Sequence, residues 1–283
     1  MGLKLAAVTL VALALAGVAS AGIDSASRYV YSHRKASGGF AEPGRSATPG
    51  LTAWAILGLR AAGHCPARSG DYLRGKPYPT ATDLELRILA LDALRDHCAF
   101  QVDLSGQVRQ LQGLRRDSGR IGRTVNSTIW GILALRATGR HAGRRTVRYL
   151  VRRQRPSGGW PWYPGGKADS NDTAAAIQAL RSAGRPAHGR AVNRGVRYLR
   201  RLQTNGGGFE LNRGRGADVQ STAWAIQALI AAKRHPGHAA FRYLHRMQRS
   251  NGSFRYSARY VTTPVWVTSQ ALGALARKPF PLK

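Results

Sequence analysis

The stretch "KADSNDTAAAIQAL" (Lys167 to Leu180) places two carboxylates, Asp169 and Asp172, just ahead of an apolar segment. The chain has only 13 acidic residues, so acids gathered at one point bear on chemistry. A carboxylate pair can hold and hand over a proton, which is what general acid–base catalysis requires. A third acid, Asp218 in "GADVQSTAWAIQAL", takes the place of Asp169 in the next copy of the pattern. Asp169 with Asp218 is the pair that a polysaccharide-cleaving site would use. Simpler structural readings stand beside these. Asp172 reads as a helix N-cap, because Ser127, Ser221 and Thr263 hold similar places. Asp218 reads as the partner of a loop arginine, Arg213 or Arg215. Trp162, Tyr163, Glu210 and Tyr256 lie in the same loops and are candidates for ligand contact. Glu85 in "DLELRIL" is the acid well inside an apolar segment; it faces a cavity or pairs with Arg87 or Arg60. The eight His residues form no HxxxH or HxH pair, so no metal site and no cofactor is expected.

These residues sit in a repeat. "YLVRRQRPSGGW" (Tyr149 to Trp160), "YLRRLQTNGGGF" (Tyr198 to Phe209) and "YLHRMQRSNGSF" (Tyr243 to Phe254) share a leading Tyr, a Gln and a closing aromatic. "YVYSHRKASGGF" from Tyr29 is a fourth copy, "QLQGLRRDSGRI" from Gln110 a weaker one, and "DYL" at Asp71 a degenerate one. Each is followed by a second apolar segment such as "DTAAAIQALRSAG" or "STAWAIQALIAAK". The first type has apolar residues at i, i+3, i+4 and an Arg-rich opposite face, as on an outer helix. The second is apolar nearly all round, as in a helix buried on two sides. Gly63, Gly139 and Gly184 mark its ends. Six outer and six inner helices can close into a ring, which removes the exposed ends of an open solenoid. Parallel inner helices then turn their N-termini to one mouth, where unpaired N–H groups should favour an anionic group. Trp54, Trp130 and Trp224 recur after the inner-helix Thr and read as wedges between helices. Cys65 and Cys98 follow the first and second inner helices, so they share a rim and are expected to form a disulfide.

The first 21 residues have the layout of a secretion signal: Lys4, an apolar run from Leu5 to Val18, and small residues for cleavage after Ala21. Retention as an uncleaved anchor is the alternative. Export also favours the disulfide and places the protein outside the cell or at its envelope. The mature chain, 22–283, is expected to be one domain and a monomer. A net charge of +31 attracts polyanions such as anionic lipid or cell-wall polymers. Yet 37 Arg against seven Lys, spread through every segment, equally fits codon bias. No compact basic run with interleaved aromatics points to specific nucleic-acid binding.

The copies at Thr146–Trp160 and Gly195–Phe209 resemble the QW-type repeat of squalene and oxidosqualene cyclases, within the prenyltransferase and squalene-cyclase superfamily. The resemblance covers essentially the whole mature chain. It implies an all-α (α/α)6 toroid with a central cavity. It also implies a structural role for Gln154, Gln203 and Gln248 and for Trp160, Phe209 and Phe254. Class II terpene cyclases of this kind use an Asp-x-Asp-Asp acid; here "DSND" has Asn171 at the third position. The zinc site of protein prenyltransferases finds only an Asp96-His97-Cys98 echo, and the Cys-Gly-Glu-Gln box of thioester domains is absent. The resulting expectation is an exported toroid that binds a small molecule, isoprenoid or anionic, or an envelope polyanion, through its cavity or rim. An isoprenoid cyclase or transferase with a reworked acid and a polysaccharide-active enzyme are the alternatives. A fold of this kind does not choose among them.

Overall fold

The computed structural model describes residues 22–282; the expected signal segment lies outside them. Twelve helices are present among the described residues, in six outer–inner pairs. The outer helices are α1 (22–32), α3 (Ala67–Arg74), α5 (Ser105–Gly113), α7 (Arg144–Arg152), α9 (Arg190–Arg200) and α11 (His238–Met247). The inner ones are α2 (Pro49–Ala61), α4 (Ala81–His97), α6 (Val125–Ala137), α8 (Ser170–Ser182), α10 (Val219–Ala231) and α12 (Pro264–Leu275). Each inner helix packs on the next, and α12 packs on α2, so the ring is closed. The fold is the expected all-α toroid. Two hairpins of two-residue strands interrupt it, β1 (Trp160–Pro161) with β2 (Ala168–Asp169) and β3 (Phe209–Glu210) with β4 (Ala217–Asp218). No described helix is long and apolar enough to cross a membrane.

The inner helices begin one turn earlier than the sequence pattern suggests. Their caps are Thr48, Thr80, Thr124, Asp169 and Asp218, whose side chains accept the N–H of the residue three positions on. Asp172, Ser127 and Ser221 are therefore third residues of their helices, not caps. Asp218 is a cap and binds Ser221 N at 2.7 Å and Ser221 Oγ at 2.8 Å, and the charge of Arg215, one of the two loop arginines expected as its partner, favours its ionised form. Helix α12 lacks a side-chain cap at Thr263, which sits at φ +41°. Glu42 supplies it from the first repeat, accepting from Val265 N and Trp266 N at 2.9 Å each.

A buried Thr in the second turn clasps each of five inner helices to its turn. Thr52, Thr128, Thr173, Thr222 and Thr268 accept the backbone N–H of Phe40, Ile121, Trp160, Phe209 and Phe254 at 2.9–3.1 Å. Four of the closing residues are the repeat's aromatics, and all five are fully buried. Gln154 and Gln248 join neighbouring repeats. Gln154 Nε2 donates to Gly158 O and, across the boundary, to Ala191 O at 2.9 Å. Gln203 Nε2 donates within its own turn to Gly207 O at 3.0 Å. Gln248 Nε2 reaches Gly22 O at 2.8 Å and Ser25 Oγ at 3.0 Å, joining the last repeat to the first. At the opposite rim, Arg60, Arg136 and Arg181 each donate Nε to a carbonyl of the next inner helix's C-terminal end, Ala93, Ser182 and Ala231. A cation there faces the negative end of the helix dipole. Cys65 and Cys98 form the expected disulfide on that rim, with Cα atoms 5.5 Å apart. The side chains of Asp96 and His97 are outside the described residues, and no group of ligands able to hold a metal occurs among those described.

Glu85 is fully buried, and neither carboxyl oxygen has a partner. Arg60 is committed to the rim, and Arg87 donates to Lys76 O and Arg74 O, so the expected pairing with either is not made. The carboxyl lies against Gly131 of α6. Burial without compensation pushes its pKa well above the ordinary glutamate value, which favours the neutral form.

Two outcomes follow from this architecture. Gly252 has φ +88°, and an added Cβ would meet Ser25 O at 2.2 Å across the closing joint. Gly252→Ala should cost about 2–4 kcal/mol and lower Tm by roughly 5–10 °C. Gly139→Ala, with φ +75° but open space around it, should cost only about 1 kcal/mol. Equal Tm losses would remove the closing joint as a cause. Separately, unfolded Glu85 ionises above about 4.5 while the folded one stays protonated. The folded state then holds more protons, and stability falls as pH rises, by up to about 1.4 kcal/mol per pH unit. Glu85→Gln should match the parent's Tm near pH 4 and exceed it at pH 8; a constant offset across that range would contradict a buried neutral carboxyl.

Candidate functional site

The mouth at the N-terminal ends of the inner helices opens into a cavity of about 370 Å³, within the range of small-molecule sites. Its walls carry Trp54, Trp130, Trp162, Trp224 and Trp266, five of the six tryptophans in the chain. Trp54, Trp130 and Trp224 come from alternate inner helices, α2, α6 and α10, and each is the sixth residue of its helix. They are not wedges between helices. Their rings meet edge to face with centroids 5.2–5.5 Å apart and form the floor. The intervening helices α4 and α8 present the smaller Leu86 and Ala175 to the cavity, which leaves the axis to the indoles. A wider vestibule adjoins at Trp54 and Trp266 and is walled by Glu42, Arg45 and Thr263.

Asp169, Asn171 and Asp172 form the polar part of the wall with Asn126, Gln220 and Gln270. The scaffold sets their positions. Trp160 pairs with Asp169 across the β1–β2 hairpin, and Thr173, which holds Trp160 N, donates back to Asp169 O at 2.5 Å. Tyr198 from the next outer helix bonds Ala168 O at 2.7 Å. Asp169 is thereby fixed as cap, accepting Asp172 N at 2.8 Å. Asp172, one turn into the helix, is buried, and its Oδ1 accepts Asn126 Nδ2 at 2.7 Å. Asn126 is held in turn, because Trp162 O accepts its backbone N–H at 3.0 Å.

Burial first, and the charge of Asp169 second, push the Asp172 pKa well above the usual carboxylate range. Burial also raises Asp169, but the backbone N–H groups of Asp172 and Asn171 offset this. The two carboxyls are close enough that the charge of Asp169 opposes ionisation of Asp172. Burial and the neighbouring charge therefore favour the protonated form of Asp172 over that of Asp169, at the wall of an aromatic cavity.

Other expected residues fall elsewhere. Glu85 and Asp218 are outside the cavity lining. Glu210 accepts Gly214 N and Gly216 N and shapes its own loop. Tyr163 is 58% exposed on the rim, and Tyr256 contributes its backbone carbonyl to Val219 N. Of the loop candidates, Trp162 does line the cavity. The mouth is not a ring of free N–H groups. Trp162 O, Leu211 O, Tyr256 O and the Glu42 carboxylate cover the first N–H groups of α6, α8, α10 and α12. Asn126 was open to detection only as a polar residue inside an apolar segment, 46 positions from the acid it touches.

Residues 188–263 match the model of the prenyltransferase alpha-alpha toroid domain. Squalene–hopene cyclase of Alicyclobacillus acidocaldarius is 47% identical over 53 residues, which are 17% of this chain and 8% of that enzyme. Among solved structures, a protein from Actinoplanes aligns with TM-score 0.70 at 18% identity, over 92% of this chain and 99% of that one. The type II terpene cyclase MstE from Scytonema aligns with TM-score 0.68 at 16% identity, over 91% and 97%. A wild-type glycosidase aligns with TM-score 0.66 at 11% identity, over 92% and 96%. At these identities the structures share the fold and nothing finer. Repeat pattern, ring architecture and matched segment agree in their likeness to the prenyltransferase and squalene-cyclase toroid, with the sequence match confined to part of the chain.

Proposed function

We propose that the cavity takes an apolar, isoprenoid-type olefin and that Asp172 protonates it, with Asp169 as its partner. The observation that carries this reading is the buried Asp172, held by Asn126 beside Asp169 at the wall of a tryptophan-lined cavity, where burial favours its protonated form. Binding alone, the simplest expectation from the sequence, needs no such carboxyl and would favour a fully apolar wall, since a buried acid is costly. Protonation uses the alkene π pair to form a C–H bond, leaving the Asp172 carboxylate and a carbocation. Indole faces stabilise a nearby cation, and loss of a substrate proton back to the Asp pair closes the cycle without a redox change. At about 30 Å³ per non-hydrogen atom, the enclosed part holds roughly a dozen atoms. A longer chain would trail through the vestibule.

The polysaccharide reading is weaker, because Asp218 lies off the cavity and Asp169 and Asp172 touch one another. Opposed carboxyls in glycosidases stand about 5 Å or more apart. The signal-like N-terminus and the disulfide support an exported protein, acting on substrate at the cell envelope.

The test is incubation of the mature protein with farnesol, geranylgeraniol or squalene, followed by gas chromatography and mass spectrometry for isomeric products. Asp172→Asn should lower turnover by about 10² to 10⁴ and leave the Tm close to that of the parent. Only the protonated acid works, so the rate should fall as pH rises through the elevated Asp172 value. Absence of any isomer from the parent, or full turnover by Asp172→Asn, would rule out this acid.

A further inference from the structure

The toroid's bore is blind because the chain's own C-terminal tail plugs it from the far side. Beyond α12 the tail turns under the ring and brings Phe280 beneath the tryptophan floor. Its ring centroid lies 6.2, 6.1 and 6.0 Å from those of Trp54, Trp130 and Trp224. Phe280 is thus nearly equidistant from all three and sits close to the bore axis. Two buried glutamines from the inner wall hold the tail. Gln178 Oε1 accepts Phe280 N at 2.8 Å, and Gln227 Nε2 donates to Lys278 O at 2.7 Å. Both come from the "IQAL" segments of α8 and α10, where a polar side chain facing the bore would otherwise lack a partner. Gly273 leaves room for the second, since a Cβ there would meet Gln227 Nε2 at 2.7 Å. Where Trp54 and Trp224 meet Phe280 only about 10 Å³ is free, at the lower limit for a single water. The indoles cannot settle deeper while Phe280 is in place.

We infer that Phe280 is a specificity-determining residue: it backs the Trp54–Trp130–Trp224 floor and so sets how much of an apolar chain the cavity encloses. This rests on the reading that the cavity takes an apolar chain, but not on any proton transfer. Removing the phenyl ring would let the indoles drop toward the vacated space and deepen the cavity from below. The far end of the chain, not the mouth, is where length would be measured.

A ladder of n-alkanols from six to sixteen carbons, titrated against intrinsic tryptophan fluorescence, tests this. Parent affinity should rise about fourfold per added methylene up to a limiting length, then level off. In Phe280→Leu the limit should move up by at least one carbon, and in Phe280→Ala by at least two, each variant being checked for parent-like helicity by circular dichroism. If Phe280→Ala does not fold, the conservative Phe280→Leu decides. An unchanged limit in a folded variant overturns the plug and leaves the cavity reading standing. Failure of the parent to bind any alkanol removes the cavity reading itself.

Discussion

The threonine clasp in the second turn of the inner helices is the interaction on which the rest of the structure depends. One hydroxyl accepts the N–H of the turn's closing residue and donates to a carbonyl one turn back, usually that of the cap. It joins three things that each repeat must keep in register: the glycine turn, the aromatic buried under it and the start of the inner helix. A small fully buried group can do this cheaply, because both its donor and its acceptor functions are satisfied. In the fourth repeat the same clasp places the chemistry. Thr173 holds Trp160 and the Asp169 backbone together, so the Trp that completes the scaffold motif and the acid at the cavity wall are two ends of one hydrogen-bonded unit.

Periodic features were legible in the sequence, and features that depend on convergence were not. Six helix pairs, their glycine ends, the ring and the Cys65–Cys98 bridge follow from repetition, since equivalent positions in neighbouring repeats must lie together. The caps were misplaced by one turn because Ser127, Ser221 and Asp172 have side chains that cap as well as Thr124, Asp218 and Asp169 do. The short hairpin that extends the loop decides between them, and it has no signal at two residues per strand. The tryptophan floor is a meeting of alternate helices on the axis. A spacing that recurs along the chain gives each Trp the same azimuth but cannot say whether that azimuth points between helices or inward. Capping of one repeat's helix by the next repeat's loop, or by Glu42 across the closing joint, is likewise invisible without the ring.

Capping also decides the electrostatics of the mouth. Six parallel helix N-termini would attract an anion if their N–H groups were free. Loop carbonyls and the Glu42 carboxylate occupy four of these ends, and side-chain caps serve the others. The residual positive potential falls instead on the acid pair at the start of α8. It favours ionisation of Asp169, which accepts backbone N–H groups directly, over Asp172, which does not. Two carboxyls within one helix turn thus differ in how strongly burial opposes their ionisation. Asn171, where the Asp-x-Asp-Asp motif has its central acid, adds no third charge to this balance.

Asp172 and Glu85 are both acids whose neutral form burial favours, yet their surroundings differ in kind. Asp172 has Asn126 on one oxygen and Asp169 near the other, so its ionised form, once the proton is given up, still has a donor aimed at it. Glu85 has no partner on either oxygen, and its ionised form would be stranded between α4 and α6. An acid that must lose and regain a proton needs a conjugate base the site can tolerate; an acid without one can only stay protonated. The asymmetry separates the two without reference to the superfamily. Under the proposed reaction Asp172 can cycle, whereas burial favours the neutral form of Glu85 at the expense of stability above the acid range.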